Sequence, residues 1–509
     1  MVSDSGKTVS PWFPTVEMPK TSALNQDISV DVCVVGAGIS GITTAYLLAR
    51  EGKKVAVLDD GPIGGGETGR TTAHIVNALD DRYYEIERLH GTRGIKLAAE
   101  SHTAAINKVE EIVNAEKIDC DFFRLDGYLF EPKDGDAKDL ERERDACLRA
   151  GINVELVERV PAPFDTGPAL KFPRQAQFHP LKYLRGLAIA IQNRGGQIFT
   201  GTFAQEMKGG SSCEVKTKDG KTVSSGSIVV ATNTPVNDRV VIHSKQMPYR
   251  TYVIGVEIPR DAVEPILLWD DDMPYHYVRL MRSKEQSGPN DLLIVGGEDH
   301  KTGQFEDGGA PFGRLERWTR ERYPMAGEVK FRWSGQVMEP VDAMGYIGRN
   351  PLDEKNVYVI TGDSGNGMTH GTIGGMLCTD LILGRPNEWE TLYNPRRKSM
   401  HPSASLEYTK ENLNVVAQYR DYVTRGDVPS AEEIKNGTGA VIRRGLKHVA
   451  AYRDADGVLH ERSAVCPHLG CIVRWNHVEK SWDCPCHGSR FDPQGKVLNG
   501  PSLGDLNEA

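Results

Sequence analysis

The stretch that decides the fold is Val30-Asp31-Val32-Cys33-Val34-Val35-Gly36-Ala37-Gly38-Ile39-Ser40-Gly41. Its apolar, β-branched first half predicts a buried strand. The strand runs into Gly36, Gly38 and Gly41, a G-x-G-x-x-G pattern, and then into a helical pattern that reaches Arg50 and stops at Gly52. Lys54–Asp59 predicts a second strand, so the whole is one βαβ unit. In that context Gly36 permits the tight turn, Gly38 lets the backbone approach a pyrophosphate, and Gly41 lets the helix pack closely. Ile39 and Ser40 open the helix, whose N-terminus favours an anion. Asp59, 23 residues after Gly36, is placed to accept from a ribose hydroxyl. Gly64, Gly66 and Gly69 repeat the glycine spacing without a strand before and a helix after, and are set aside as a second fingerprint.

Outward from this unit, the 509 residues are enough for two or three domains. A net charge of -9 argues against a general nucleic-acid binder. The 39% hydrophobic and 26% charged content is that of an ordinary globular chain. No apolar run is long enough to span a membrane, and Met1–Lys20 has no apolar core of a signal peptide, so the expected location is cytoplasmic. Residues 1–28 read as a surface arm. Residues 80–150 carry Leu and Ile at helical spacing. Leu181–Gln192 predicts a helix, Gln197–Thr200 a strand, and Ser227–Thr232 a buried strand ending at Ala231 and Thr232. Tyr249–Val256, Tyr275–Met281 and Leu292–Gly296 predict an antiparallel sheet in a second lobe over 241–339. Asn356–Thr361 is a further apolar strand, followed by a Gly-rich turn and a helix through Leu383. Residues 386–427 form a linker with one helix, Leu406–Val423, and short strands with Gly/Pro turns follow from 428.

Four of the nine cysteines fall within 21 residues. Cys466-Pro467-His468 and Cys484-Pro485-Cys486-His487 present two thiolates and two imidazoles, with 15 residues between His468 and Cys484. Such a donor set suits zinc or a [2Fe–2S] cluster. The remaining cysteines read as buried small apolar residues.

Two resemblances sharpen these readings. Residues 28–385, with the early G-x-G-x-x-G and the late Thr361-Gly362-Asp363 and Gly367-Met368-Thr369, resemble the D-amino-acid-oxidase-type FAD oxidoreductases, which include glycine, sarcosine and gamma-glutamylputrescine oxidases. The resemblance implies FAD-binding pieces at 29–80, 175–240 and 340–385. It also implies that Gly362, Asp363, Gly367, Met368 and Thr369 lie against the flavin, where a helix N-terminus would stabilise negative charge. Arg70, Thr71, Thr72 and His74 stand where related flavoproteins wrap the cofactor. Thr72-Ala73-His74 is similar to the Thr-Trp-His of members whose His is bonded to flavin, with Ala in place of Trp.

The segment Cys466-Pro-His-Leu-Gly-Cys471 with Cys484-Pro-Cys-His-Gly-Ser489 resembles the Rieske proteins of cytochrome bc complexes. That implies a [2Fe–2S] cluster on Cys466, His468, Cys484 and His487, a disulfide between Cys471 and Cys486, and Ser489 bonded to cluster sulfur. Phe491 stands where high-potential members have Tyr, which implies a lower potential. The fold class is therefore α/β: a Rossmann-like FAD-binding domain with an antiparallel-sheet substrate lobe, followed by a small all-β Rieske domain at 428–509.

The fusion implies a converter of two-electron into one-electron chemistry. It would oxidise the C–N bond of a primary or secondary amine or amino acid and deliver electrons to an external acceptor. Candidate substrate residues are Tyr252, Tyr275, His276 and Arg279, with Tyr277; alternation puts Tyr275, Tyr277 and Arg279 on one face and His276 on the other. Trp333 and Gln336 precede a stretch that approaches the flavin in the family. Arg279 or Arg349 is a candidate clamp for a substrate carboxylate. Alternatives are a non-amine substrate and a non-catalytic electron carrier or redox sensor. A Rieske oxygenase is a poor fit, because none of the 14 histidines has His-x₃-His or His-x₄-His spacing.

Overall fold

The computed structural model describes residues 5–509 apart from 132–136, 238–241, 283–288, 305–308, 352, 354, 398–401 and 424. The βαβ unit forms as its pattern dictates. Strand Ile28–Val35 pairs in parallel with Val55–Leu58, and helix Ile39–Arg50 joins them. That helix is apolar nearly all round because it is enclosed between the sheet and further helices. The parallel core of the sheet runs Val357–Thr361, Thr222–Val230, Ile28–Val35, Val55–Leu58 and Gln197–Phe199. Strand Tyr346–Arg349 closes one edge in antiparallel sense. The fingerprint glycines thus sit at the carboxyl ends of the parallel strands, where open α/β sheets place their ligands.

The second sheet has nine strands and is wider than the 241–339 lobe read from the sequence. Besides Gln246–Pro259, His276–Met281, Asn290–Lys301 and Val329–Pro340, it takes Phe123–Phe130, Ala169–Gln177 and His74–Ile75. These earlier strands are separated by helices, which masked them in a helix-rich stretch. Both faces of the sheet are covered. One packs on the main core through Val253, Trp269 and Ile294, the other on a core of Tyr252, Val278, Phe312 and Trp318.

The last 80 or so residues form two small sheets, one of Thr438–Arg444, Lys447–Arg453 and Leu459–Ser463 and one of Arg474–Asn476, Ser481–Asp483, Arg490–Phe491 and Val497–Asn499. Helix Pro402–Gln418 and a following 3₁₀ turn bring the chain to this domain.

The N-terminal segment is not a surface arm over its described part. Trp12 and Phe13 are buried, with the Trp12 indole N–H donating to Thr71 O and the ring edge-on to His179. Its partners come from far along the chain, so no local periodicity marks it. Among the described residues, no helix is long and apolar enough to cross a membrane.

Candidate functional site

One large cavity opens over the fingerprint and runs along the seam between the two sheets. At its floor Gly36 has φ +108°, and a Cβ there would lie 2.3 Å from Ala231 O. This turn therefore needs glycine. The Ile39 amide at the helix start donates to Thr68 Oγ1 (3.0 Å). Asp59 Oδ2 accepts from the Ala37 amide (2.5 Å) and Oδ1 from the Gly61 amide (2.8 Å), so its carboxylate holds the turn together as well as facing the cavity. Asp60 lines the cavity beside it, a residue the spacing argument passed over.

The second glycine repeat proves functional in another way. Gly64 donates its amide to Ala37 O (3.0 Å), and residues 64–68 fold across the fingerprint as part of the cavity wall. It lacks the strand and helix of a fingerprint because it serves as the loop opposite one.

Of the expected cofactor residues, Gly36, Gly38, Ile39, Ser40, Asp59, Arg70, Thr71, Thr72, His74, Ala231, Thr232, Gly362, Asp363, Gly367 and Met368 all line this cavity. Gly41 packs behind it against Gly36 O and Val34. Thr369 points elsewhere, bonded to His102 Nδ1 at 2.8 Å and Asn366 O at 3.2 Å. His370, its neighbour, lines the cavity instead.

The substrate candidates separate. Tyr275 and Tyr277 line the cavity with Trp269 and His74. The two tyrosine rings are 5.6 Å apart, and His74 lies 5.9 Å from Trp269 and 5.8 Å from Tyr277. Tyr277 OH is 2.8 Å from Thr251 Oγ1, and Tyr275 OH donates to Asp299 Oδ2 (3.3 Å). Burial lowers the His74 imidazole to about 3, with Arg279 adding to the effect, so the ring is neutral. Burial raises Asp299 to about 7 and Asp80, on the cavity wall, to about 6.

Tyr252 and His276 lie on the opposite face of the sheet. Tyr252 stacks on His300 and meets Phe312; His276 stacks on Trp318 at 4.6 Å and bonds Asp270. Alternation separated His276 from Tyr275 and Tyr277 but could not say which face looks into the cavity, since both are buried. Arg279 does not line the cavity. Its Nη1 donates to the carbonyls of Thr72 (2.9 Å), Ala73 (2.8 Å) and Phe178 (3.2 Å), tying the loop that carries His74. Arg349 ends an edge strand at the surface.

In the C-terminal domain, Cys466 and Cys484 lie within hydrogen-bonding reach of each other, and the His468 and His487 rings are 5.0 Å apart and perpendicular. Cys471 and Cys486 form a disulfide. The sulfurs of Cys471, Cys484 and Cys486 also converge, but two of them are spent on each other, which leaves Cys484 free to pair with Cys466 as a ligand. The Ser489 hydroxyl faces Cys466 and accepts from the Ser502 amide (3.0 Å). Two buried thiols beside two imidazoles are the donor set of a Rieske cluster, two Cys to one iron and two His to the other.

The two sites share walls. Val497–Gly500, Ser502 and Leu503 of the C-terminal domain line the same cavity as the fingerprint. The loop 484–489 is wholly buried, whereas Pro467 and Leu469 of the other loop are exposed. His243, from the strand-bearing lobe, lies 5.0 Å from the His468 ring and 6.0 Å from that of His487. Gln336 and Gln304 donate to Gly488 O (3.1 Å) and Pro485 O (3.2 Å). A buried charge cluster completes the seam. Arg70, Arg250 and Arg490 face Glu479 and Asp483, with Thr8, Ser5 and Ser334 hydrogen-bonded among them. No local pattern marks residues 497–503 or this cluster, because Arg70, Arg250, Ser334, Thr8 and Ser5 reach Glu479, Asp483 and Arg490 from far along the chain.

A dinucleotide cradle of a two-sheet flavoprotein, walled by an iron–sulfur domain, defines an oxidoreductase with two redox centres. Comparison with known proteins agrees. The FAD dependent oxidoreductase (DAO) family matches residues 31–381, and the Rieske [2Fe-2S] domain matches residues 424–509. The chain belongs to the FAD dependent oxidoreductase family and carries a C-terminal Rieske domain; its cofactors are FAD and a [2Fe–2S] cluster. It is 30% identical over 502 residues to the YhfW protein of Bacillus subtilis (strain 168), named for a Rieske 2Fe-2S centre, covering 98% of this chain and 96% of that one. It is 27% identical over 391 residues to the gamma-glutamylputrescine oxidoreductase of Escherichia coli (strain K12), covering 73% and 88%. Glycine oxidase from Geobacillus kaustophilus shares the fold, with a TM-score of 0.62 at 19% identity, over 73% of this chain and 99% of that one.

The residues fit both groups. The cradle at Gly36–Ser40 would meet a pyrophosphate and Asp59 and Asp60 a ribose, and His370 Nε2, buried on a wall residue, has no hydrogen-bond partner among the described residues.

Proposed function

We propose that this protein is a dehydrogenase of a primary or secondary amine, which passes the electrons singly through its own Rieske cluster to an external acceptor. The observation that carries the reading is the shared wall: Val497–Gly500, Ser502 and Leu503 of the cluster domain line the flavin cavity. A flavin that handed its electrons to oxygen would need no such neighbour.

The choice of an amine rests on the cavity's chemistry and on relatives named for amine and amino-acid substrates. Among the described lining residues Arg70 is the one arginine, there is no lysine, and the Arg70 guanidinium is held by Ser334 O, Thr8 and Glu479. Among the described lining residues a substrate carboxylate finds no free cation, which favours an amine over an α-amino acid. Trp269, Tyr275 and Tyr277 offer aromatic faces to a substrate ammonium. Asp299 Oδ2, bonded to Tyr275 OH and titrating near neutrality, can take the ammonium proton through that hydroxyl. The amine then has a lone pair free to push a hydride from the adjacent carbon. Bound FAD supplies the hydride acceptor; the protein orients the amine against it and holds the proton. The iminium product hydrolyses to a carbonyl compound and, from a primary amine, ammonia or, from a secondary amine, a primary amine.

The test is anaerobic titration of the holoprotein with a panel of amines and their alcohol isosteres. Flavin bleaching by amines alone is expected. Bleaching by the alcohols, or by α-amino acids in preference to simple amines, would overturn the substrate reading.

A further inference from the structure

We infer that Gln336 is the positioning residue through which the flavin cavity is coupled to the cluster. The inference rests on the intrachain relay proposed above and assigns the place where it crosses. Gln336 is 3% exposed and lies on strand Val329–Pro340. It lines the flavin cavity, and its side chain crosses the seam in the other direction, with Nε2 donating to Gly488 O at 3.1 Å. Gly488 follows the cluster ligand His487 directly. One residue therefore touches the space that holds the flavin and the loop that holds an iron.

Three details show that this bridge is built rather than incidental. The Gln336 amide N–H donates to Glu67 Oε2 (2.7 Å), which anchors its backbone to the loop folded over the fingerprint. Thr302 Oγ1 donates to Gln336 Oε1 (3.3 Å), which sets the amide so that its NH₂ faces Gly488. Gly488 has φ +79°, and a Cβ there would lie 2.8 Å from Gln336 Nε2 and 2.7 Å from Pro248 Cβ. The close approach requires glycine on the cluster side.

Electronic coupling decays more steeply across a van der Waals gap than through covalent and hydrogen bonds. A path along the Gln336 side chain, one hydrogen bond, Gly488 and His487 crosses no such gap between the cavity wall and the cluster ligand. In the balanced step, a flavin that has taken up a hydride gives up two electrons and one proton: each electron in turn would convert one cluster iron from ferric to ferrous, and the proton passes to water. An external one-electron acceptor empties the cluster between the two transfers.

The test uses the holoprotein and needs no amine. A laser flash with a deazaflavin donor reduces the flavin, and the cluster is then followed optically. In the wild type the cluster should be reduced at a rate independent of protein concentration. In Gln336→Leu that rate should fall severalfold, because the hydrogen bond to Gly488 O is replaced by a through-space gap, with the midpoint potentials of both centres and the cluster's EPR spectrum unchanged. Gln336→Glu, nearly isosteric, covers the case in which the leucine variant does not fold. Its ionised carboxylate cannot donate to Gly488 O, so transfer should be slow at high pH and recover as the side chain is protonated. A concentration-dependent wild-type rate would overturn the relay itself. An intramolecular wild-type rate that either folded variant matches at high pH would overturn the role of Gln336 and leave the relay standing.

Discussion

The Glu479 carboxylate of the cluster domain lies 3.0 Å from the Arg70 guanidinium of the flavin loop, and both side chains are shut off from solvent. Burial works to raise the Glu479 carboxyl, but Arg70, Arg250 and Arg490 outweigh it and hold it at about 2. Such a pair ties the two domains only while it is complete, since a buried charge that loses its partner is costly. Glu479→Gln should therefore destabilise the protein by about 3 kcal/mol at neutral pH. The folded-state value lies below the ordinary 4.5, so the stabilisation is full above about pH 4.5 and is lost as the pH falls towards 2. Denaturant unfolding of wild type and variant across that range checks it: the gap should close on acidification, and a gap of constant size would contradict the assignment.

Asp59→Ala should lower FAD occupancy while the cluster spectrum survives. The side chain holds the Ala37 and Gly61 amides as well as facing the ribose position, so a loss of about tenfold in FAD affinity is expected, the worth of one or two hydrogen bonds. Flavin content after dialysis, read against cluster absorbance, measures it.

Arg279→Met separates a structural arginine from a substrate clamp. Three backbone carbonyls lose their donor, so stability should fall by about 2–4 kcal/mol and flavin should be held less firmly. A variant with unchanged melting temperature and a raised KM would restore the clamp.

The sequence made some of this visible and hid the rest for physical reasons. The fingerprint was readable because its turn is local: Gly36 answers to a carbonyl that only glycine clears. The Rieske domain was readable because metal ligation demands fixed residue types at close spacing. Tyr252 and His276 were misplaced because the sheet that carries them is buried on both faces, so alternation alone does not reveal the inside. Trp12, Gln336 and residues 497–503 were unreadable as a seam because their contacts are long-range and leave no periodic trace.

Phe491→Tyr should raise the cluster potential. Phe491 is fully buried in one core with Cys466 and Cys484, and the added hydroxyl would supply a hydrogen bond beside the cluster. One such bond is worth about 1 kcal/mol, or about 40 mV for a one-electron couple. Protein-film voltammetry of both forms reads the shift; a lower potential would contradict it.

The central claim is that an amine's electrons reach the cluster through the flavin of the same chain. The most direct measurement is rapid anaerobic mixing of holoprotein with a bleaching amine, with the flavin followed optically and the reduced cluster by freeze-quench EPR, in wild type and Cys484→Ser. The account predicts bleaching first, then a Rieske signal at a rate independent of protein concentration, with bleaching preserved and the signal lost in the variant. A cluster that stays oxidised while the flavin bleaches would contradict it.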